Sequence, residues 1–410
     1  MKSTEKLVSK AREEIGKKKD ISDDEVRELL TGLSFEIAEY MLLCATEREN
    51  LIERAFCSLR CEYGPLQPLL SDSSITEIMV NGASDVYIEK SGKIMRSEMY
   101  FESTEELENI IRKMAAGVRR EINEMVPIVD ARLSDGSRVN AVYKSIALGG
   151  PVLTIRKFPE RPFAMEDFLR LGTITAEAAE FLRVLVEAGY NIFISGGTSS
   201  GKTSFLNVLS AYIPADERVI TIEDSAELQI RQIPNLVRME CRNANSQGKG
   251  QITMRDLIKS SLRMRPDRII VGEVRGGEVM DMVQAMNTGH DGSLCTGHAN
   301  SVGGMMKRLE AMFLQAAELP AASVRSQIAE GIDIVVHMGR LSDKQRRVLE
   351  IAEVSKTLTG GEIKVNSLFK YKPGSGLQRT ENSLMNTSKL EMAGLALPVA
   401  VKDRLEREGA

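Results

Sequence analysis

The segment Gly196-Gly197-Thr198-Ser199-Ser200-Gly201-Lys202-Thr203 fits the pattern G-x-x-x-x-G-K-[ST] and is the most informative part of this chain. The apolar residues 192–194 predict the buried strand that such a loop leaves, and a helix is expected to begin near Lys202. Glycines let consecutive backbone N–H groups turn toward one anion, and the positive end of the helix dipole adds to the attraction. The pattern predicts a nucleotide phosphate site; a Gly/Ser-rich loop before an ordinary helix is the alternative.

The chemistry of the loop indicates its ligands. All eight residues of the segment, and Ser204 after it, are predicted to contact the nucleotide. Lys202 is expected to reach the β- and γ-phosphates, and Thr203 to ligate Mg²⁺. The expected cofactors are therefore ATP and Mg²⁺.

Length and composition limit the classes of protein to consider. A chain of 410 residues is too long for one compact core and predicts two or three domains. A net charge of -4, 5% aromatic residues and no tryptophan argue against nucleic acid as the main partner. The lysines and arginine of the first 19 residues alternate with acids at helical spacing. We interpret them as a solvated helix face, with docking to a membrane surface or a partner as the alternative.

Cysteine use and hydropathy indicate the compartment. The five cysteines include no C-x-x-C pair, which disfavours a disulfide framework or a four-thiolate zinc site and favours a reducing compartment. The first ten residues lack the apolar core of a signal peptide, and no run of eighteen apolar residues occurs. A cytoplasmic location is predicted, with membrane association only through a partner.

The periodicity of apolar residues changes along the chain and predicts its organisation. Helical spacing follows Ser22, alternation at period two begins at Ile75, and Pro159 and Pro162 predict a linker. Beyond the linker, strands and helices alternate, which predicts a mostly parallel sheet with helices on both faces. Segments 334–337, 347–353 and 362–368 are expected to add antiparallel strands. The predicted regions are a helical region 1–62, an α+β domain 63–157, a linker 158–172, an α/β domain 173–372 and an unassigned tail 373–410.

Hydrolysis requires a group that orients water, and several acidic residues are candidates. Glu273 ends the apolar strand 269–272, where such folds place this carboxylate. Gly272 stands where an aspartate usually precedes that glutamate, so magnesium needs help from acids elsewhere. Those acids are predicted to be Glu223, Asp224 and Glu227; as an alternative, they only stabilise the N-terminus of a helix.

Two of the three histidines follow glycines near the predicted site. His290 and His298 are candidates to donate a hydrogen bond to the γ-phosphate, with simple solvation as the alternative. His337 lies in an apolar strand and is interpreted as structural.

Eight segments together resemble the secretion ATPases of the type II/type IV superfamily, most closely the CpaF-type motor of tight-adherence (Flp) pilus assembly. The resemblance spans residues 63–369 and is carried by SITEIMVNG, DARLSDGSRVNA, TIRKF, GGTSSGKTSFLN, ITIEDSAEL, LRMRPDRIIVGEVRG, NTGHDGSLCTGHANS and RLEAMF. It implies an α/β, RecA-like P-loop ATPase domain preceded by a short helical region and an α+β, PAS-like N-terminal domain.

The resemblance also implies roles for particular residues. Lys202 and Thr203 match the Walker A motif, and Glu273 matches the Walker B acid. Glu223, Asp224 and Glu227 match the family's aspartate box, and His290 and His298 its histidine box. Arg138 and Arg156 match catalytic arginines that the N-terminal domain contributes, Arg132 is a weaker candidate, and Arg263 and Arg265 match positions whose role is expected to be interfacial.

The family forms hexamers, so the resemblance implies a homohexameric ATPase that acts on an inner-membrane platform protein, with no nucleic acid as partner. The zinc-binding four-cysteine motif of the type II secretion branch is absent, which favours the pilus branch. The alternatives are the motor of a type IV secretion or conjugation system, a nucleic-acid translocase, and a scaffold that binds ATP without hydrolysing it.

Overall fold

The computed structural model describes residues 4–18, 20–90, 92–118, 120–158, 161–242, 244 and 248–397. The chain divides into two compact units, Met1–Arg161 and Pro162–Ala410. Within the described ranges, no helix combines the length and apolar character that a membrane span requires. The two units are described separately below.

The first unit begins with three helices, α1 (Glu5–Gly16), α2 (Asp23–Glu36) and α3 (Ala45–Arg60). A capping box starts α2, because the Ser22 side chain accepts from the Glu25 N–H and the Glu25 carboxylate accepts from the Ser22 N–H. The apolar faces of the helices form a small core of their own around Leu30 and Tyr40. The predicted helical region 1–62 therefore contains helices, although it lies in the same compact unit as the domain that follows.

A six-stranded antiparallel sheet forms the rest of this unit, in the order β3-β2-β1-β6-β5-β4. Helix α5 buries Leu107, Ile111 and Met114 against the sheet. This is the α+β, PAS-like domain that the resemblance implies. Its elements are α4 (Gln67–Ser71), β1 (Ile75–Asn81), β2 (Val86–Lys90), β3 (Lys93–Arg96), α5 (Thr104–Gly117), β4 (Ile128–Arg132), β5 (Arg138–Val142) and β6 (Val152–Arg156).

The second unit is built on a nine-stranded sheet in the order β15-β14-β13-β12-β7-β11-β10-β8-β9. Its elements are α6 (Met165–Arg170), α7 (Ala176–Glu187), β7 (Ile192–Gly196), α8 (Lys202–Ser210), β8 (Val219–Glu223), β9 (Leu236–Glu240), α9 (Met254–Ser261), β10 (Arg268–Val274), α10 (Glu278–Met286), β11 (Leu294–His298), α11 (Val302–Leu314), α12 (Ala321–Gly331), β12 (Ile334–Arg340), β13 (Arg346–Val354), β14 (Val365–Lys372), β15 (Gly376–Arg379) and α13 (Ser388–Ala393).

The six strands from β12 to β9 in this order are parallel, and both faces of the sheet are covered. Along β7, Ile192 and Ile194 belong to one hydrophobic cluster and Phe193 to another, because successive side chains point to opposite faces. The predicted parallel α/β domain is confirmed. One detail is wrong: β12, predicted as part of an antiparallel addition, pairs in parallel with β7, and antiparallel pairing begins between β12 and β13.

Regular structure also occurs in the predicted linker and in the tail that the sequence leaves unassigned. Helix α6 lies inside the predicted linker 158–172. In the predicted tail, β15 extends the sheet and α13 follows it. The buried Glu353 carboxylate accepts hydrogen bonds from the N–H groups of Met385 and Asn386, which anchors this segment. Residues 398–410 of the predicted tail lie outside the described residues.

Candidate active site

The phosphate loop joins the end of β7 to the start of α8, as predicted. Gly201 precedes the helix with φ 94°, and Ser199 also has a positive φ of 56°. A Cβ on Gly196 would lie 2.6 Å from Ser200 Oγ and would also collide with the carbonyl oxygen of Met338 on the neighbouring strand. The tight turn therefore needs glycine at two positions, one for its backbone angle and one for its packing.

The loop contains a polar atom that its own neighbours do not satisfy. Ser200 Oγ is buried, and among the described residues it has no hydrogen-bond partner. Buried hydroxyl groups normally find a partner. A phosphate oxygen held by the loop would supply one, so the cradle fits the nucleotide that the sequence predicts.

Arg346 of β13 supports the tip of the phosphate loop. Its Nε donates to the carbonyl oxygen of Ser199 at 3.0 Å, and its Cδ would be 3.3 Å from a Cβ on Gly201. Sequence reasoning missed this residue, and no local pattern marks it, because the contact joins positions 147 residues apart.

Three predicted catalytic residues meet at the end of the sheet. Lys202 Nζ donates to the carbonyl oxygen of Gly197 at 2.9 Å and lies 3.3 Å from His298 Nδ1. On the other side of the ring, His298 Nε2 lies 2.5 Å from Glu273 Oε1. The histidine thus lies between Lys202 and Glu273 and contacts both.

The protonation of this histidine follows from its neighbours. The Lys202 ammonium can only donate, so Nδ1 must accept and Nε2 carries the ring proton that faces Glu273. Burial and the charge of Lys202 lower the pKa of His298, which favours the neutral ring. Burial also lowers the pKa of Lys202. His298 acts here as a neutral bridge between two charged groups.

Arg275 holds the remaining oxygen of Glu273. Its guanidinium lies 2.8 Å from Glu273 Oε2 and 3.5 Å from the exposed carboxylate of Asp224. Sequence reasoning missed Arg275, although its spacing of two residues from Glu273 at the end of a strand was an available signal. Glu273 thus lies between Arg275 on the Oε2 side and the imidazole of His298 on the Oε1 side.

The position of the Glu223 side chain gives a physical reason for glycine at position 272, where an aspartate is usual. A Cβ on Gly272 would lie 3.0 Å from Glu223 Cγ, so the glutamate of β8 occupies the space that a side chain at position 272 would need. Glu223 Oε2 accepts from the N–H groups of Glu227 and Leu228, at 2.6 and 2.9 Å. In the described part of the chain, Oε1 is buried without a hydrogen-bond partner, and burial raises the pKa of this carboxyl group.

The three acidic residues of the predicted aspartate box therefore have different partners. Glu223 fixes the backbone after β8, Asp224 pairs with Arg275, and Glu227 is half-buried beside them. No cluster of three or more His, Cys, Asp or Glu side chains in the described ranges is arranged to hold a metal. Thr203, in the first turn of α8, stays the predicted Mg²⁺ ligand.

His290 lies at the other end of the sheet, and its predicted contact with phosphate is wrong for the loop of its own chain. In the parallel pairing of β11 with β7, His298 is opposite Gly196, whereas Leu294 is opposite Ile192. His290 precedes β11 and contacts the carbonyl oxygen of Ala285 at the end of α10. The five residues of β11 separate it from the phosphate loop by about 16 Å at 3.3 Å per residue.

Three arginines of the first unit form a row across its sheet. Arg132 is paired with Arg138, and Arg138 with Arg156, on the adjacent strands β4, β5 and β6. Directly opposed residues share a face, and like charges in that position destabilise a sheet. On the other side of Arg156, the directly opposite residue is Glu77 of β1, so the row of three arginines ends at an acidic side chain. The sequence marked these arginines only through a family resemblance and did not show that they are aligned.

A cavity of about 420 Å³ opens beside β13 in the second unit. Its lining residues include 172–176, Arg347 and Tyr371. Arg347 directly follows the arginine that contacts the phosphate loop. The volume and largely apolar lining are sufficient for an aromatic ring such as a nucleotide base.

His337 forms a buried pair with Ser195, the residue before the phosphate loop. Its Nδ1 lies 2.8 Å from Ser195 Oγ, and burial lowers its pKa. The native state therefore keeps this ring neutral at a pH where the unfolded chain, with an ordinary value of 6.5, binds a proton.

The low pKa of His337 predicts a pH dependence of stability. Because the unfolded state takes up more protons below pH 6.5, the free energy of unfolding is expected to fall as the pH decreases through and below that value. His337→Gln removes this contribution, so the variant should lose less stability than the wild type between pH 7 and pH 5. Urea denaturation at both pH values measures the difference. Equal losses in the two proteins would contradict the prediction.

Comparison with known proteins identifies the class. The family model for type II/IV secretion system proteins matches residues 60–370, so the chain belongs to this family of secretion ATPases. A Mycobacterium tuberculosis protein named for conjugal transfer is 36% identical over 298 residues, 70% of this chain and 83% of that one. The type IV secretion system protein PtlH of Bordetella pertussis is 33% identical over 312 residues, 70% of this chain and 92% of that one.

The fold has a solved counterpart. The ATPase DotB of Legionella pneumophila is similar with a TM-score of 0.51 and 20% identity, covering 70% of this chain and 79% of that one. At this identity the similarity supports the fold alone. The superfamily that the sequence motifs indicate is confirmed by the family match.

Proposed function

We propose that this protein hydrolyses ATP with Mg²⁺ and works as a homohexameric motor. The supporting observation is the connected set of Lys202, His298 and Glu273 at the mouth of the phosphate loop. Such a set places a phosphate-binding cation and a water-orienting carboxylate on either side of one histidine. The motor would act at the inner face of the cytoplasmic membrane through an inner-membrane platform protein.

Each residue has a distinct role in this proposal. Lys202 exchanges the Gly197 carbonyl for the β- and γ-phosphates, while Glu273 orients the attacking water. Thr203 ligates Mg²⁺, which neutralises developing charge on the phosphate oxygens when it is bound. The cavity beside β13 receives the base, with Arg346 holding the loop between base and phosphates.

The aligned arginines supply the remaining positive charge. Arg138 and Arg156, with Arg132 beside them, would neutralise the transferring phosphoryl group from the N-terminal domain at a subunit interface. Charge of this kind contributes about 10³- to 10⁵-fold to the rate of related enzymes. The register supports this role because it places the three arginines side by side on adjacent strands, on one face of the sheet.

The sequence motifs favour the Flp/Tad pilus as the machine that this motor drives. A type IV secretion or conjugation system is the second candidate, because relatives 33–36% identical carry those names. Neither candidate requires the chain itself to bind nucleic acid. Deleting the gene in its host and scoring pilus assembly and conjugal transfer separates the two: loss of pili alone supports the first candidate, and loss of transfer alone the second.

An interfacial site predicts that turnover depends on protein concentration. Phosphate release per subunit is expected to rise as the protein assembles, and Arg156→Ala is expected to lower it by about 10³-fold or more with ATP affinity retained. Arg96→Ala is the matched control, since Arg96 is an exposed arginine of the same sheet that pairs with Asp85. Activity that is independent of concentration and survives in Arg156→Ala would contradict an interfacial site.

A further inference from the structure

One arginine contacts both residues of the phosphate loop that have a left-handed backbone. Ser199 has φ 56° and Gly201 has φ 94°. The Nε atom of Arg346 donates to the carbonyl oxygen of Ser199 at 3.0 Å. Its Cδ atom would lie 3.3 Å from a Cβ on Gly201, so the stem of the side chain covers this glycine. Arg346 therefore lies against the two positions at which the loop departs from ordinary backbone angles.

Ser199 is the strained position of the two. Glycine adopts a left-handed backbone at no steric cost, whereas the Cβ of any other L-residue is crowded against a carbonyl oxygen. A serine keeps this conformation only where contacts with its surroundings favour it. The hydrogen bond from Arg346 is a contact of this kind, because it holds the Ser199 carbonyl group in one direction.

The direction of this carbonyl group also determines that of a neighbouring N–H group. The Ser199 carbonyl and the Ser200 N–H belong to one planar trans peptide unit, so they point in opposite directions. The hydrogen bond that draws the carbonyl toward Arg346 therefore turns the Ser200 N–H away from the arginine. A phosphate loop binds its anion through backbone N–H groups of this kind. Arg346 thus orients a group that the nucleotide is expected to contact.

Arg346 belongs to a regular part of the fold. It is the first residue of β13 and is directly opposite Arg340 on β12. Strand β12 is paired in turn with β7, where Met338 is opposite Gly196, the first residue of the phosphate loop. Two adjacent strand pairings therefore set the position of Arg346 relative to the loop. A residue on a sheet holds a site more precisely than a residue on a loop.

We propose that Arg346 is a positioning residue that holds Ser199 in its left-handed conformation and so prepares the phosphate loop for nucleotide. It acts through the backbone of the loop, and the affinity for nucleotide phosphates depends on this preorganisation. The consequence for affinity rests on the proposed nucleotide-binding function, whereas the contact that holds the loop does not.

Arg346→Met tests the proposal, because it removes the hydrogen bond and keeps an unbranched stem over Gly201. We expect the left-handed conformation to fall to about a tenth of the population, which raises the apparent Kd for ADP with Mg²⁺ about tenfold. The kcat at saturating ATP should stay within about twofold, because the reacting groups are intact. Arg340→Met is the matched control and should bind ADP like the wild type, since Arg340 is exposed and donates to the carbonyl oxygen of Lys344.

Substitutions of Ser199 distinguish positioning from direct binding of phosphate. Ser199→Gly removes the strain, so Arg346→Met combined with Ser199→Gly should bind ADP within about threefold of Ser199→Gly alone. Ser199→Ala lacks the hydroxyl group but keeps Cβ, so it should give no rescue. An arginine that binds phosphate directly predicts the same loss in the serine, glycine and alanine backgrounds. That result, or an unchanged Kd in Arg346→Met, would overturn the proposal.

Amide hydrogen exchange of the nucleotide-free protein measures how firmly the loop is held. The amides of residues 197–201 should exchange faster in Arg346→Met than in the wild type and in Arg340→Met. Equal exchange rates in the three proteins would also contradict the inference. If exchange is faster as expected but the wild type binds no ADP, the positioning role is supported and the proposed nucleotide-binding function is wrong.

Discussion

Glu273→Gln is expected to reduce ATP turnover by about 10²- to 10⁴-fold, the usual contribution of a positioned general base. Glutamine keeps the size of the side chain but cannot attract the proton of the attacking water. It also loses the charge that faces His298 and Arg275. ATP affinity should change little, because Lys202 and the backbone of the phosphate loop still bind the phosphates. Steady-state phosphate release and equilibrium binding of a fluorescent ATP analogue measure the two effects.

Glu240→Gln is the matched control for this change. Glu240 also ends a strand of the same sheet, and it is exposed on the outermost strand, paired with Glu223. The ATP turnover of the Glu240→Gln variant should equal that of the wild type. If Glu273→Gln retains most of the activity, another carboxylate orients the water, and Glu223, whose Oε1 lacks a hydrogen-bond partner among the described residues, is the next candidate.

Gly272→Asp is expected to destabilise the protein by about 3–5 kcal/mol, the cost of an uncompensated buried charge. The substitution restores the aspartate that commonly precedes a Walker B glutamate. In this chain the new side chain would start 3.0 Å from Glu223 Cγ and bring a second carboxylate next to a buried one. The measurement is the free energy of unfolding from urea denaturation, with ATP binding as a second readout.

Two further variants test the cause of this loss. Gly303→Asp places the same side chain at an exposed glycine in the first turn of α11 with open space around it, and no loss of stability is expected, because Asp has a higher helix propensity than Gly and an acid is favourable at a helix N-terminus. Glu223→Ala combined with Gly272→Asp should recover part of the lost stability, because it removes both the collision and the repulsion. If the double variant is no more stable than Gly272→Asp, contact with Glu223 is not the reason for the glycine.

Local sequence patterns were sufficient to predict those features that depend on residues close together in the sequence. The phosphate loop, the start of α8 at Lys202, the capping box at Ser22 and the parallel strands all follow from backbone preferences and the alternation of apolar residues. Glu273 was also predictable, because a carboxylate that ends an apolar parallel strand lies at the binding edge of the sheet. The family resemblance added the arginines Arg138 and Arg156 as candidates.

Other features depend on contacts between distant residues, which no local pattern records. No local pattern predicts the structure of the C-terminal segment, because its anchors, Glu353 and Asp333, lie far away in sequence. His290 and His298 were equivalent in sequence, since each follows a glycine. The parallel register places only His298 at the phosphate loop. His298 is at the C-terminal end of β11, opposite Gly196, whereas His290 precedes the N-terminal end of the same strand.

By itself, the sequence determined that this protein has a P-loop domain of the secretion ATPase superfamily, with an α+β domain before it. Only the tertiary structure decided which side chains act together. In the folded chain, His298 contacts Lys202 and Glu273, and Glu223 occupies the space next to Gly272. Three arginines are also aligned on adjacent strands. The physical reason is that propensities and periods act over a few residues, whereas sheet register and burial bring together residues that are far apart in sequence, such as Lys202 and His298, which are 96 positions apart.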